Sequence, residues 1–157
     1  MMSGNLFAYG TLMAGEILAS VSGMTLTGTP ALLRGYRRYL VYAEVYPGIN
    51  PSPRDAVDGL LYEGLTLRAW ERLDRFEGEM YERQEVKVEL ESGRIQTALT
   101  YVVRPGFRHR ISDSPWSLDE FLSCGKGIFE DEYQGFAALS DSPAGENGLN
   151  RPRRGCR

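Results

Sequence analysis

Residues 66–90, TLRAWERLDRFEGEMYERQEVKVEL, change from helical to strand periodicity within a few positions and decide the fold class. Thr66 is a typical helix N-cap, apolar side chains follow at the spacing of one helical face, and Gly78 is a typical C-terminal stop. From residue 81 to residue 90 the side chains alternate, which predicts a half-buried β-strand. The stretch therefore predicts a helix over residues 67–77 that is followed at once by a strand.

A hairpin extends this pattern, because Ser92-Gly93 is a turn signal and the strand pattern resumes over residues 96–103. On the N-terminal side, strands are predicted at residues 5–9, 24–33, 36–45 and 57–62, and a loop rich in turn residues at residues 46–53. Further helices are predicted at residues 15–22, ended by Gly23, and at residues 117–132. About six strands against two or three helices, with some strands joined as hairpins, predict an α+β fold with a mixed sheet.

The composition restricts the classes of function. The chain has 157 residues and a formal net charge of −3, so no broad basic surface is available for nucleic acid. No apolar run approaches the roughly 18 residues of a membrane helix, and the N-terminus lacks the features of a signal peptide. We therefore expect a cytoplasmic protein with neither nucleic-acid nor membrane partners. The only histidine, His109, excludes a multi-histidine zinc site, and we expect no metal or other cofactor.

One domain over residues 1–139 is expected, since the sequence contains no repeat and no sign of a second domain. Residues 140–157 are rich in Gly, Pro, Ser, Asn and Arg, a composition that predicts a disordered C-terminal tail. The oligomeric state does not follow from the sequence.

The first segment that indicates chemistry is Tyr9-Gly10-Thr11-Leu12, directly after the first predicted strand. Glycine at a strand end lets the backbone approach a ligand closely, and successive backbone N–H groups in such a turn form a concavity suited to a carboxylate. The same tetrapeptide also fits a plain turn from a strand into a helix, and both interpretations stay open at this point.

The second segment is the helix over residues 67–77, where an acidic side chain falls among apolar ones. At 100° per residue, Glu77 lies between Trp70 and Leu73 in the middle of the apolar arc. Burial and the negative end of the helix dipole both raise the pKa of a carboxyl in that place, as a general acid/base at neutral pH requires. The alternative is that Glu77 lies at a frayed, exposed helix end.

Together these segments resemble the gamma-glutamylcyclotransferase-like family. Tyr9-Gly10-Thr11-Leu12 resembles the family's Tyr-Gly-Ser/Thr-Leu signature, and residues 73–78, LDRFEG, followed by Tyr81-Glu82-Arg83, resemble its second signature. Residues 57–62, VDGLLY, resemble a Val-x-Gly-x-x-Tyr strand that the family has between the two. The similarity covers roughly residues 5–103.

The resemblance implies a compact mixed β-barrel with flanking helices, and it also implies a reaction. Family members cleave a γ-glutamyl amide by attack of its α-amino group on its own side-chain carbonyl, which releases 5-oxoproline and an amine or amino acid. By resemblance, Glu77 is the acid/base catalyst, and the substrate-binding residues are Tyr9, Gly10, Thr11, Leu12, Tyr81 and Arg83. The nucleophile belongs to the substrate, so the implied partner is a small γ-glutamyl molecule and no cofactor is required.

Other interpretations remain at this point. One is a non-catalytic protein that binds a small acid, another is a cyclotransferase that removes a γ-glutamyl protecting group in a biosynthetic pathway, and a third is an interaction module with an exposed apolar patch. The walls that select the leaving group are not placed by the sequence, and the candidates are residues 46–53 and the region around Trp116.

Overall fold

The computed structural model of the protein describes residues 4–139, so the tail predicted over residues 140–157 lies outside the described residues. The strands are β1 (Leu6–Ala8), β2 (Thr29–Val41), β3 (Pro47–Tyr62), β4 (Tyr81–Leu90), β5 (Ile95–Val103) and β6 (Ile111–Pro115). The helices are α1 (Gly15–Ser22), α2 (Leu67–Glu77), α3 (Leu118–Glu120), α4 (Lys126–Glu132) and α5 (Gln134–Ala138). Short 3₁₀ helices lie at Thr11–Met13 and Pro105–Arg110, and a π-helical turn joins α3 to α4 at Phe121–Gly125.

Five of the strands close into a ring. In the order β3, β1, β5, β4, β2, each strand pairs with the next, and β2 pairs with β3 to complete the circle. The β1–β5 pair is parallel and the other pairs are antiparallel, while β6 adds to the far end of β2. The predicted α+β fold with a mixed barrel and flanking helices is therefore confirmed.

The described apolar core has two parts, which the alternation of the strands separates. One part contains strand residues, such as Phe7, Val57 and Val88, together with Tyr9 directly after β1, and fills the inside of the ring. The other contains alternate strand residues, such as Leu6, together with the buried faces of α1 and α2, and lies between the outer surface of the ring and the helices. A functional site formed by helices and strands together belongs to this second layer.

The structure corrects the predicted loop at residues 46–53, because residues 47–53 form the first part of β3. Pro51 pairs with Tyr36 beside a bulge in β2, and within the described chain this part of β3 has β2 as its only strand partner. A strand with one free side tolerates proline, since the missing N–H can lie on that side. The turn-type residues in residues 47–53 therefore indicate an edge strand rather than a loop.

Three other boundaries also differ from the prediction. The strands predicted at residues 24–33 and 36–45 are one long strand, β2, and the short strand β6 was not predicted. The helix predicted over residues 117–132 is present, but the π-helical turn interrupts it and α5 follows it. In residues 4–139 we find no helix with the length and apolar character needed to cross a bilayer.

Candidate active site

Helix α2 follows its predicted boundaries and carries Glu77 as its last residue. The hydroxyl oxygen of Thr66 accepts a hydrogen bond from the N–H of Ala69 at 3.2 Å, which caps the first turn. At the other end, Gly78 has a φ of 75°, a conformation that glycine adopts without strain, and its N–H donates to the carbonyl oxygen of Asp74. The chain therefore leaves the helix directly after Glu77.

Glu77 and the segment from Tyr9 to Leu12 border the same cavity. The cavity lies in the layer between the ring and the helices, and its lining also includes Ala8, Tyr46, Pro47, Phe76, Tyr81, Tyr101, Phe129 and Tyr133. Its volume of about 30 Å³ is enough for about two ordered waters. The carboxyl end of α2 therefore lies on the same hollow as the turn that follows β1, rather than at a free, exposed helix end.

The small cavity adjoins a wider cleft of about 600 Å³. Five residues line both spaces: Tyr46, Phe76, Glu77, Tyr81 and Tyr133. Charged side chains of both signs line the outer cleft, among them Arg75, Glu79 and Arg110. Glu77 thus lies where the small inner cavity meets the wider, polar cleft.

The environment of Glu77 makes its carboxyl a weak acid. Burial, and secondly the negative charge of nearby Asp74, raise the pKa of Glu77 from 4.5 to about 8. The residue as a whole keeps some solvent exposure, and it borders both the inner cavity and the outer cleft. Near neutral pH this group both holds and releases a proton, as a general acid/base must.

Asp74 lies one turn before Glu77 and is itself held in place. The hydroxyl of Tyr101 donates a hydrogen bond of 2.8 Å to Asp74 Oδ1, and Arg83 Nη2 lies 3.6 Å from Asp74 Oδ2. The guanidinium of Arg83 also lies over the ring of Trp70, 5.0 Å from its centroid. Arg83 is absent from the described lining of both spaces, so the structure places it beside the cavity wall rather than on it.

The turn after β1 presents backbone donors to the cavity. The 3₁₀ turn at Thr11–Met13 uses the N–H of Met13 to bond the carbonyl oxygen of Gly10 at 2.9 Å. A helical turn leaves its first N–H groups without internal acceptors, and in residues 4–139 the N–H groups of Gly10, Thr11 and Leu12 have none. These three residues line the cavity, so the arrangement suits a carboxylate.

Two predicted binding tyrosines are fixed by hydrogen bonds to backbone carbonyl oxygens. Tyr9 donates to the carbonyl oxygen of Tyr101, and Tyr81 donates to that of Pro47 at 2.7 Å. Burial raises the pKa of both phenols well above its usual range, and the charge of Glu77 acts in the same direction. Both rings are therefore neutral, rigid parts of the wall.

Residues after the last predicted strand also line the cavity, although they are not among the predicted site residues. Tyr133 donates a hydrogen bond to the carbonyl oxygen of Phe76 at 2.8 Å and lies 3.3 Å from that of Glu77. Its ring stacks on Phe129 with a centroid separation of 4.6 Å. The spacing of Phe129, Tyr133 and Phe136 by four and three residues is typical of one helical face and is the signal that was available.

Of the two regions predicted as candidate walls for the leaving group, one borders the cavity and the other does not. Pro47, from the predicted loop, lines the inner cavity, and Tyr46 lines both spaces. Trp116 lines neither and borders a different surface pocket next to the π-helical turn. Within the described residues there is no group of three or more side chains of the types that hold metal ions.

A closed five-stranded mixed barrel with this cavity at the exit of its first strand defines the class of the fold, that of the gamma-glutamyl cyclotransferases. The sequence model of the family described as "Gamma-glutamyl cyclotransferase, AIG2-like" matches residues 6–118, and the chain belongs to this family. The wall residues Phe129 and Tyr133 lie beyond the matched part.

Similar proteins with curated descriptions are found in Arabidopsis thaliana. AIG2-like protein A is 25% identical over 142 residues, which cover 90% of this chain and 86% of that protein. AIG2-like protein D is 34% identical over 84 residues, which cover 54% of this chain and 55% of that protein. The chain thus spans about half the length of several curated relatives that it matches.

Solved structures show the same fold at low sequence identity. The solution structure of an Arabidopsis thaliana protein has a TM-score of 0.65 and 24% identity, covering 96% of both chains. A structure described as "Gamma-glutamyl cyclotransferase" has a TM-score of 0.56 and 21% identity, covering 65% of this chain and 67% of that one. At these sequence identities the structural similarity establishes the barrel fold only. The reaction has to be inferred from the residues of the candidate site.

Proposed function

We propose that the protein is a gamma-glutamyl cyclotransferase that cleaves a γ-glutamyl amide and releases 5-oxoproline together with an amine or amino acid. The observation that carries the proposal is the shared cavity, which has a carboxyl of raised pKa on one side and backbone N–H groups on the other. Family membership supports the same class of reaction.

In the proposed mechanism the α-amino nitrogen of the glutamyl unit attacks its own side-chain carbonyl carbon. Glu77 accepts one proton from the ammonium form of this nitrogen, and the neutral amine then attacks, so that a new C–N bond closes the five-membered ring. As the old C–N bond breaks, the second proton that the ring nitrogen loses passes to the leaving nitrogen. Glu77 then returns its own proton, and the amine departs as its ammonium form. Atoms and charge balance without a metal, an oxidant or an enzyme nucleophile.

The raised pKa of Glu77 suits this proton transfer. An α-amino group has a pKa of about 8, close to the value of about 8 for Glu77, so the proton moves between nearly matched groups. A glutamate with its ordinary pKa would accept the same proton at a cost of about 5 kcal/mol. Matching of this kind is what makes a general acid/base efficient near neutral pH.

The turn from Tyr9 to Leu12 supplies the position of the substrate. We place the glutamyl carboxylate against the N–H groups of Gly10, Thr11 and Leu12, where it holds the amine near its target carbonyl. The inner cavity alone is too small for the glutamyl unit, so we expect the side chains that separate it from the outer cleft to move on binding. The leaving group then lies in that outer cleft.

The test is release of 5-oxoproline from a panel of γ-glutamyl amines, γ-glutamyl amino acids and glutathione. The Glu77→Gln variant should lose at least 100-fold in kcat, since one acid/base residue contributes about 10²–10⁴-fold. Glu71→Gln is the matched control, because Glu71 lies on the exposed face of the same helix. Full activity of Glu77→Gln, or no release by the wild type from any of these substrates, would refute the proposal.

The panel also separates a general cyclotransferase from one that removes a protecting group in a biosynthetic pathway. The first cleaves several of the small amides, and the second is selective for one larger leaving group. Cytoplasmic location and the lack of a cofactor stay predictions from the sequence.

A further inference from the structure

Arg38 is a largely buried arginine that lies next to the turn after β1. It sits on β2 opposite Ile49 of β3, and only 15% of its side chain is exposed. It is absent from the described lining of both the inner cavity and the outer cleft. The mechanism proposed above makes no use of it.

The guanidinium of Arg38 binds the point at which the chain leaves the ring. The β1–β3 pairing ends at Ala8 opposite Leu60. One residue further on, Arg38 Nη1 donates to the carbonyl oxygen of Tyr9 at 2.8 Å and to that of Asp58 at 2.9 Å. The Arg38 side chain thus links the two chain segments by hydrogen bonds directly after the backbone pairing of β1 with β3 ends.

This contact fixes the orientation of one peptide group. The described residues contain no cis peptide bond, and in a trans peptide the C=O and the N–H point in opposite directions. Because the carbonyl of Tyr9 faces Arg38, the N–H of Gly10 faces away from it. Gly10 lines the cavity and Arg38 does not.

We infer that Arg38 is a positioning residue, which holds the Tyr9–Gly10 peptide so that the Gly10 N–H is directed into the cavity to receive a carboxylate. The inference rests on the proposed function for the identity of that carboxylate. Without Arg38 the peptide is free to rotate, because the carbonyl of Tyr9 loses this partner. The donor is then no longer pre-oriented, and the ligand must order it on binding.

The other contacts of Arg38 support a role at the turn rather than simple pairing with Asp58. Nη2 reaches Asp58 Oδ1 at 2.9 Å, but the side chain of Asp58 is 78% exposed, and exposed ion pairs contribute little. The guanidinium carbon also lies 5.2 Å from the centre of the Trp116 ring. The planar group is thus held between an aromatic face and two carbonyl oxygens, a geometry that suits arginine better than lysine.

The first test follows the Gly10 amide directly, with no need for turnover. The probe is 5-oxoproline, titrated into ¹⁵N-labelled protein. In the wild type the Gly10 cross-peak should shift with added 5-oxoproline, and in Arg38→Met most of this shift should be lost. Arg34→Met is the control, since Arg34 lies on the same strand but forms an exposed ion pair with Glu89 at 3.1 Å.

The second test is kinetic. Arg38→Met should raise KM for a γ-glutamyl amide about ten-fold, the effect of losing one oriented hydrogen bond. The kcat and its pH profile should stay unchanged, because Glu77 is untouched. The KM of Arg38→Lys should lie between those of the wild type and Arg38→Met. Asp58→Asn keeps the backbone carbonyl and an acceptor oxygen, so its KM should resemble that of the wild type.

Several outcomes would overturn the inference. They are an unchanged Gly10 response in Arg38→Met, equal losses in Arg38→Met and Arg34→Met, or no Gly10 response in the wild type. If Arg38→Met does not fold, the Arg38→Lys variant is used instead. A wild-type KM together with a lowered melting temperature in Arg38→Lys would show that Arg38 only stabilises the fold. An Arg38-dependent Gly10 response without any turnover would instead refute the proposed reaction and support this inference.

Discussion

Tyr101 donates a hydrogen bond from its phenol to the carboxylate of Asp74 at 2.8 Å, and this holds a negative charge one helical turn before Glu77. The Asp74 charge is the second cause, after burial, of the raised pKa of Glu77. The barrel wall therefore helps to set the proton affinity of a group on a helix.

Asp74→Asn should move the acid limb of the kcat/KM profile to lower pH. In the proposed mechanism the deprotonated carboxylate of Glu77 is the base, so activity should rise as pH passes through its pKa, and removing a nearby negative charge lowers that pKa. Burial, the larger cause, remains in the variant, so the pKa of Glu77 should fall only part of the way from about 8 to its reference value of 4.5. Glu71→Asn, on the exposed face of α2, should leave the profile in place, and an unmoved limb in Asp74→Asn would contradict the assignment.

Glu77 should also make the stability of the protein depend on pH. Its pKa is about 8 in the folded state against 4.5 as the reference value, so between these values the folded protein binds more protons than the unfolded chain. Stability contributed by this group is thus full below about pH 4.5 and is lost as pH rises to about 8.

Glu77→Gln removes that dependence. Compared with the wild type, the variant should melt at a higher temperature at pH 8.5, by an amount equal to about 1–4 kcal/mol in unfolding free energy. The advantage should shrink steadily as the pH is lowered to 5. Thermal unfolding at several pH values measures this, and a difference that stays constant with pH would contradict the raised pKa.

Tyr133→Phe should weaken the link between the C-terminal helices and the end of α2. The ring stays, but the hydrogen bond to the carbonyl oxygen of Phe76 is lost, which should cost about 1 kcal/mol of unfolding free energy. We also expect a several-fold lower kcat, because Glu77 is the residue after Phe76 and loses part of the support for its position. Tyr42→Phe is the control, since Tyr42 is 60% exposed, and the two variants are compared by chemical denaturation and steady-state kinetics.

Gly135→Ala should be more disruptive than Tyr133→Phe. A Cβ at position 135 would lie 2.2 Å from the carbonyl oxygen of Phe76, so α5 must move away from α2. Overpacking of this kind typically costs about 1–3 kcal/mol. Gly127→Ala, in the neighbouring helix, meets nothing within 4 Å and should be neutral or slightly stabilising. Equal unfolding free energies for the two variants would contradict this close contact.

The elements that the sequence predicted well are those whose pattern is local. Helix α2 has its cap at Thr66 and its stop at Gly78, and burial in β4 alternates from Glu85 to Glu89, so the helix and the strand both follow from local spacing. The first part of β3 was wrongly predicted as a loop, because its prolines are explained only by the lack of a second strand partner. That lack is a property of the ring and not of the segment.

The candidate site shows the same division. Glu77 could be predicted as a candidate because an acid on an apolar arc is visible in one helix, and the residue borders the cavity; its catalytic role stays a prediction. Tyr133 and Arg38 were missed, because their partners are the backbone oxygens of Phe76 and Tyr9, which lie 57 and 29 residues away in the chain. Contacts to distant backbone atoms leave no periodic trace in a sequence.

The parallel pair in the ring joins two strands that lie far apart in the chain. Leu6 of β1 pairs with Leu99 of β5, so β1 gains its second neighbour only by closing a long loop. The cavity beside it also needs Phe129 and Tyr133, which lie further along the chain. Because closing long loops costs chain entropy before the contacts form, we expect the cavity to be completed late in folding.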